Sequence, residues 1–278
     1  MSKRAGLAVM AAVALSLARI SGASAGVTFT WNPNAMGLGP NPDSFTANNI
    51  VVSDFANIVV DTNTGAFTET GVLVFSGFQL NGLGVTTPSF TNVTYPTGIS
   101  SPYGMYVTFT ASGIQGPIPT AGNATTGTIT SLNYAMYGNP GGAIGISQTN
   151  TTSPVPTNNS GAISLATGSL IGTGTTTLTA DSRGGLSPKA DVLVSMTAAP
   201  GASSFFVAPP ASALDLFLGD FSVTANVTVT QGTNTADLSI VGGGGNLLAA
   251  VPEPSSILVF ASGLVIIGFV GGLRRRAA

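Results

Sequence analysis

Carboxylates are the side chains of this chain that could carry acid–base chemistry, because its 278 residues include neither histidine nor cysteine. Thiol nucleophiles, histidine-based triads, Cys-zinc sites and disulfide frameworks are therefore excluded. Two carboxylates suffice for glycoside hydrolysis, and the closely spaced pairs are Asp54 with Asp61 and Asp215 with Asp220. Nothing in the sequence brings either pair together, and one Trp and five Tyr are few for a sugar-stacking cleft. The sequence predicts a protein that is not an enzyme and has neither catalytic residues nor a cofactor.

A calcium site is the other chemistry that carboxylates allow. The segment Asn41-Pro42-Asp43-Ser44 offers oxygen ligands, but the chain contains no D-x-[DN]-x-[DN]-G loop. We expect solvated turn carboxylates and no bound metal, and a calcium-dependent adhesin is the alternative. Nucleic-acid binding is excluded, because the few basic residues lie mainly near the two ends of the chain and form no patch.

Residues 1–25 have the three parts of a secretory signal peptide. Lys3 and Arg4 precede an apolar run at residues 7–15, and a stretch of small residues ends in Ala23-Ser24-Ala25. The apolar run is too short to span about 30 Å of hydrocarbon. We therefore expect export and cleavage by signal peptidase after Ala25.

Residues 251–278 contain three further parts in a fixed order. Val-Pro-Glu-Pro at 251–254 is followed by 19 uncharged residues, 255–273, and then by Arg274, Arg275 and Arg276. Nineteen residues form a helix of about 28 Å, which is just long enough to cross a bilayer. Because an arginine cluster marks the cytoplasmic side, the sequence predicts one C-terminal transmembrane helix with nearly the whole chain outside.

This C-terminal arrangement resembles the PEP-CTERM sorting signal of Gram-negative bacteria that make exopolysaccharide. The resemblance covers about the last 28 residues, and it implies that Pro252, Glu253 and Pro254 are recognised by exosortase, a membrane-embedded protease or transpeptidase. It also implies that the arginine cluster retains the tail in the cytoplasm until processing. The alternative is a permanently tail-anchored envelope protein with an unknown ligand.

Residues 26–241 are predicted to form one antiparallel β-sandwich, so the fold class is mainly β. Short β-branched and aromatic runs, several with period-two alternation, are separated by turn signals such as Asn81-Gly82, and no long linker divides them. The predicted strands lie at 27–31, 67–78, 105–112, 128–134, 191–196, 221–230 and 238–241. Residues 212–217 fit a short helix or the start of a strand.

The segment 242–250 is predicted to be a flexible glycine-rich spacer that exposes the sorting motif. A glycine-rich turn that ends the last strand is the alternative. Residues 26–250 carry nine acidic and two basic residues, so this region has a charge near −7 while the whole chain has −2.

Three segments of the ectodomain, 29–33, 43–50 and 67–71, resemble PEP-CTERM proteins associated with flocculation. This resemblance implies a role in bacterial aggregation through the extracellular polysaccharide matrix. We therefore expect an exported, non-enzymatic protein of the cell surface or matrix, with exopolysaccharide or other matrix proteins as its partners.

Mass spectrometry of the exported protein is expected to find a mature N-terminus at Gly26, because the small residues Ala23 and Ala25 form the cleavage site. A mature chain that retains Lys3 and Arg4 would contradict cleavage.

Overall fold

The computed structural model describes residues 27–38, 44–85, 103–222 and 227–250. Within these ranges the chain forms seventeen β-strands and three 3-10 helices, at Pro33–Met36, Ser203–Phe205 and Ala211–Ala213. The strands are β1 (Phe29–Trp31), β2 (Phe45–Ala47), β3 (Asn49–Asp61), β4 (Ala66–Leu80), β5 (Leu83–Gly84), β6 (Gly104–Gln115), β7 (Ala124–Asn139), β8 (Gly145–Ser147), β9 (Val155–Thr157), β10 (Ile163–Ser169), β11 (Gly174–Ala180), β12 (Leu186–Ser195), β13 (Thr197–Ala198), β14 (Phe206–Ala208), β15 (Asp215–Ser222), β16 (Val227–Gln231) and β17 (Thr235–Ala250).

The predicted mainly β, antiparallel class is confirmed. Every strand pair of the described residues is antiparallel. None of the helices in these ranges has the length and apolarity needed to cross a membrane. The predicted membrane helix at 255–273 and the signal peptide at 1–25 lie outside the described residues.

The largest sheet closes on itself. Its strands follow the order β11-β12-β15-β17-β3-β4-β6-β7-β10-β13, and β11 pairs with β7 as well as with β12. The ring therefore consists of β3, β4, β6, β7, β11, β12, β15 and β17. Strand β7 pairs with β6 along one edge. Along its other edge, its first half pairs with β11 and its second half pairs with β10. Opposite walls of this ring face each other across one core.

The C-terminal strand corrects the predicted spacer. Residues 242–250 belong to β17, whose Gly243–Leu248 segment pairs with β3 and whose last residues pair with β15. The prediction was wrong because ladder hydrogen bonds join backbone groups and need no side chains. Gly242, at φ 72°, lies where the register with β3 shifts, which marks a β-bulge. The folded region therefore extends to Ala250.

An aromatic plug, formed by Phe29, Trp31, Phe45, Phe78, Phe205 and Phe206, is part of the buried core. Trp31 is fully buried, and its ring centroid lies 5.2 Å from that of Phe205 and 5.7 Å from that of Phe78. Strands β1, β2 and β14, which carry much of the plug, form a separate three-stranded sheet. The plug thus brings β1 and β2, near the start of the described chain, together with β14 in one apolar cluster.

The β8–β9 hairpin and the residues that follow β8 contact the outer face of the ring. The Gln148 side chain donates hydrogen bonds to the Ala56 carbonyl oxygen at 2.8 Å and to Ser239 Oγ at 3.1 Å. The outward-facing residues Phe55, Asn57 and Ser239 are consequently buried. Strand β3 is therefore covered on both faces over this stretch.

Several predicted strands occur in the structure with shifted ends. The runs at 67–78, 105–112, 128–134 and 238–241 lie inside β4, β6, β7 and β17. The run at 221–230 contributes the end of β15 and most of β16. The ambiguous segment 212–217 begins with the 3-10 helix Ala211–Ala213 and continues as β15.

Gly244→Thr is expected to raise the free energy of unfolding by about 0.5–1 kcal/mol, because a strand interior favours a β-branched residue over glycine. A Cβ at Gly244 meets no atom within 4 Å, so the substitution has room. Thermal unfolding followed by circular dichroism would measure the change.

Gly242→Thr is the matched control, and it is expected to lower stability by about 1–3 kcal/mol because residue 242 has a positive φ. If neither substitution changes the melting temperature, residues 242–250 are a spacer in solution.

Candidate functional site

The interior of the ring contains a cavity of about 80 Å³, large enough for several water molecules or a small organic group. All eight ring strands contribute to its wall, which is predominantly apolar. Its apolar lining includes Ile58, Val60, Leu73, Phe109 and Ile240. Carboxyl groups interrupt this apolar wall at two places.

Asp54 is the first of these carboxyl groups. It lies on β3, where Asp54, Ile58 and Val60 share the inward face. Its residue surface is 5% exposed, and its Oδ1 atom has no hydrogen-bond partner among the described residues. Burial raises the pKa of Asp54 to about 7, although a hydrogen bond from the Phe55 backbone acts in the opposite direction. The carboxyl group is thus held in a place that disfavours its charge.

Glu69 is the second carboxyl group, and it lies on the neighbouring strand β4. Its register partners are Ile58 on β3 and Ala111 on β6, so apolar side chains flank it on both sides. Burial raises the pKa of Glu69 to about 8, and the nearby charge of Asp54 adds to the shift. Two acidic groups therefore line the same cavity, and a charge on Asp54 makes ionisation of Glu69 less favourable.

Small residues leave space between the two carboxyl groups. Ala56 pairs with Gly71 in the register of β3 and β4, between the Asp54–Leu73 pair and the Ile58–Glu69 pair. A Cβ atom at Gly71 would lie 2.2 Å from Phe109 Cζ, so the Phe109 ring occupies the space over this glycine. The Phe109 ring thereby forms part of the cavity wall between the two acids.

Polar residues line another part of the cavity. Gln115 accepts a hydrogen bond from Thr176 Oγ1 through its Oε1 atom, and its Nε2 donates to Thr125 Oγ1 at 3.1 Å. Lys189 on β12 also contributes to the lining, and its Nζ lies 4.0 Å from an Asp191 carboxylate oxygen. The exposed Lys189 side chain indicates that the cavity reaches solvent here.

An incomplete seam between β12 and β15 explains this access. Among the described residues, the two strands pair from Val192 to Ser195 of β12, and no described pair joins residues 186–191 to β15. Pro188 lies in the unpaired stretch, where a strand with a neighbour on one side tolerates a residue without an N–H group. Cavity-lining residues 188–190 and Leu218 lie on the two sides of the seam.

The structure does not bring Asp54 and Asp61 together, in agreement with the sequence analysis. Asp54 and Asp61 lie on the same strand, about 23 Å apart along it. Asp61 instead accepts hydrogen bonds from the backbone N–H groups of Asn63 and Thr64, and these lower its pKa. Asp215 is buried at the start of β15, and desolvation raises its pKa.

Other predicted sites lie outside the described residues. These are the sorting motif Pro252, Glu253 and Pro254, the cluster Arg274, Arg275 and Arg276, the signal-peptidase site Ala23 and Ala25, and Asn41 to Asp43 of the candidate calcium segment. The Asp220 side chain is also outside the described part, although its backbone belongs to β15.

The sequence analysis did not predict that Asp54 and Glu69 line the same cavity, although the sequence contains a signal for Glu69. In the predicted strand at 67–78, Phe67, Glu69 and Leu73 occupy positions of the same parity, and period-two alternation places them on one face. A glutamate on the face of Phe67 and Leu73 indicates a buried acid. No comparable signal exists for Asp54, because both faces of β3 carry apolar residues.

No protein-family model, curated protein or solved structure matches this chain. The cavity and its two carboxyl groups are consequently interpreted from their own geometry.

The free energy of unfolding is expected to fall as the pH rises from 5 to 8.5. Unfolded Asp and Glu have pKa values near 4, whereas Asp54 and Glu69 titrate near 7 and 8 in the folded protein. Between these limits the folded state binds more protons than the unfolded state. The resulting stability is therefore fully present below about pH 4 and is lost as the pH rises through 7 to 8.

Asp54→Asn is expected to weaken this pH dependence and to stabilise the protein by about 1–2 kcal/mol at pH 8.5. The reason is that the amide remains uncharged while the buried aspartate ionises. Asp61→Asn removes an exposed carboxylate of the same strand and should leave the slope between pH 5 and 8.5 unchanged. Urea unfolding across this range gives the slopes, and equal slopes for native protein and Asp54→Asn would contradict burial of an ionisable Asp54.

Proposed function

We propose that this chain is an exported, non-enzymatic protein of the bacterial surface or extracellular matrix, sorted by exosortase and active in exopolysaccharide-dependent aggregation. The observation that carries the proposal is the C-terminal order of Val-Pro-Glu-Pro, 19 uncharged residues and three arginines, combined with an N-terminal signal peptide. Each part has its own physical role, and their order agrees with export followed by sorting.

The positions of the two ends of the folded region support a modular arrangement. The Val27 backbone N–H donates a hydrogen bond to the Ala249 carbonyl oxygen at 3.0 Å. Signal cleavage after Ala25 and sorting at Pro252 would therefore occur at sites attached to the same end of the ectodomain. None of the described strands includes a residue of either signal, so removal of the signals leaves the described strand pairs intact.

Proline chemistry supports an accessible motif. Strand β17 ends at Ala250, two residues before Pro252. Pro252 and Pro254 lack the N–H group that a continued ladder requires, and each disfavours a helical conformation in the residue before it. The motif is thus expected to be extended backbone directly beyond the last strand, a form that a protease can read.

The ectodomain has the properties of a binding or packing module. We interpret its closed sheet as a sandwich-like body, with two walls across one core. A cavity of about 80 Å³ accommodates a small organic group but not a segment of polysaccharide. Contacts with matrix polymers would therefore use the outer surface, which is rich in Thr, Asn and Ser.

Replacement of Pro252, Glu253 and Pro254 by alanine is expected to leave a full-length, membrane-bound form, because exosortase would lose its recognition motif. Immunoblots of membrane and extracellular fractions would measure the change. The matched control replaces Pro154, Val155 and Pro156 by alanine, since this Pro-x-Pro lies in the surface hairpin and should not affect processing. Unchanged size and release of the motif variant would contradict exosortase sorting.

Deletion of the protein in its host is expected to abolish cell aggregation while polysaccharide output remains normal. Normal aggregation in the deletion strain would contradict the matrix role.

A further inference from the structure

We propose that the ring cavity is a binding site for a small apolar molecule that bears a positively charged amine, which the carboxylate of Asp54 contacts and the charge of Glu69 attracts from further along the same wall. This inference concerns the ectodomain's own ligand and does not depend on exosortase sorting. Its basis is a predominantly apolar cavity that contains the buried Asp54 side chain, whose Oδ1 atom has no hydrogen-bond partner among the described residues.

The unpartnered Oδ1 atom of Asp54 is the first argument. Leaving a buried polar atom without a hydrogen bond costs about 1–3 kcal/mol, and more where the group is charged. The Asp54 side chain lines the cavity and is 5% exposed, so a molecule inside the cavity can reach it. An ammonium group is a suitable partner, because it has up to three N–H donors and accepts no hydrogen bonds.

Both acids lie on the same wall of the apolar cavity. Asp54 on β3 and Glu69 on β4 are separated by Ala56 and Gly71, and the Phe109 ring covers Gly71. An alkyl chain would contact Phe109, Ile58 and Ile240, while its ammonium group lies against the Asp54 carboxylate. Burial of the chain contributes about 0.8 kcal/mol for each methylene group.

Other charge types fit the cavity less well. A carboxylate or phosphate ligand would meet two acidic groups and one basic group, Lys189, which also contacts Asp191 at the mouth. Calcium takes six to eight oxygen ligands, and no group of three His, Cys, Asp or Glu residues gathers within the described ranges. An organic cation needs fewer polar contacts and uses the apolar wall.

The titration of the site determines how binding depends on pH. Of the residues that line the cavity from the eight ring strands, those that titrate are Asp54, Glu69 and Lys189. The pKa values of Asp54 and Glu69, about 7 and 8, mean that both acids carry protons at pH 6. The ammonium group must displace the proton of Asp54, the carboxyl group that it contacts, so binding should tighten from pH 6 to pH 8.5 and release about one proton at pH 6.5.

The test uses n-hexylamine, with 1-hexanol and hexanoate as probes of similar size. Each is titrated calorimetrically into the full chain in lipid nanodiscs, and empty nanodiscs provide the blank. We expect hexylamine to bind at least tenfold more tightly than either other probe at pH 8.5. Titrations at pH 6.5 in buffers of different ionisation enthalpy should show release of about one proton for each amine bound.

Asp54→Asn should weaken hexylamine binding at least tenfold, because it removes the carboxylate that contacts the ammonium group, and Glu69→Gln should weaken it less, because it removes a charge that attracts the amine without contacting it. Asp61→Asn is the matched control and should leave binding unchanged, since Asp61 lies at the strand end outside the cavity wall. Equal binding of hexylamine and 1-hexanol without proton release would overturn the assignment in favour of a purely apolar site. Preferential binding of hexanoate, or no binding of hexylamine by a folded protein, would also overturn it.

Discussion

Pairing between β3, near the start of the described chain, and β17, its last strand, is the constraint on which the rest of the structure depends. Strand β17 follows β3 in an almost continuous register from Thr235–Asp61 to Leu248–Asn49. This pairing completes the ring, and the interior exists as a separate space once the ring is complete. Because the partners are almost 200 residues apart, closure carries the loop entropy of nearly the whole ectodomain. The chain must therefore be synthesised almost to Ala250 before the cavity can form.

Sequence periodicity predicted the strands that have one buried face and failed where that condition does not hold. Strand β7 shows this pattern, because Leu132, Tyr134 and Met136 are buried and the residues between them are more exposed. Strand β3 was not predicted, since Gln148 and its neighbours cover its outer face and both faces carry apolar residues. The glycine-rich end of β17 was misread because glycine lowers strand propensity, whereas the neighbours β3 and β15 supply hydrogen-bond partners on both sides. Neither effect is visible in a local window of sequence.

In the candidate site, too, the sequence pattern predicts one feature and not the other. Glu69 could be assigned to a buried face from the parity it shares with Phe67 and Leu73. Its proximity to Asp54 depends on the register between β3 and β4, which a single sequence does not encode in its spacing. The low charge content of the ectodomain makes such a pair conspicuous, because two of its nine acidic residues lie inside the ring. Burial of both acids lowers stability at neutral pH, and a cationic ligand would offset that cost.

The ring also separates the attached end of the ectodomain from its cavity. Val27 and Ala249 meet where β17 ends, next to the predicted processing sites. Leu238 and Ile240 line the cavity about ten residues earlier on the same strand, which corresponds to roughly 30 Å of extended chain. A protein held at the membrane through its C-terminus would thus carry its cavity well away from the bilayer. Ligand entry through the seam between β12 and β15 would then be unaffected by removal of a sorting signal, and the proposed ligand binding and the proposed sorting would be separable.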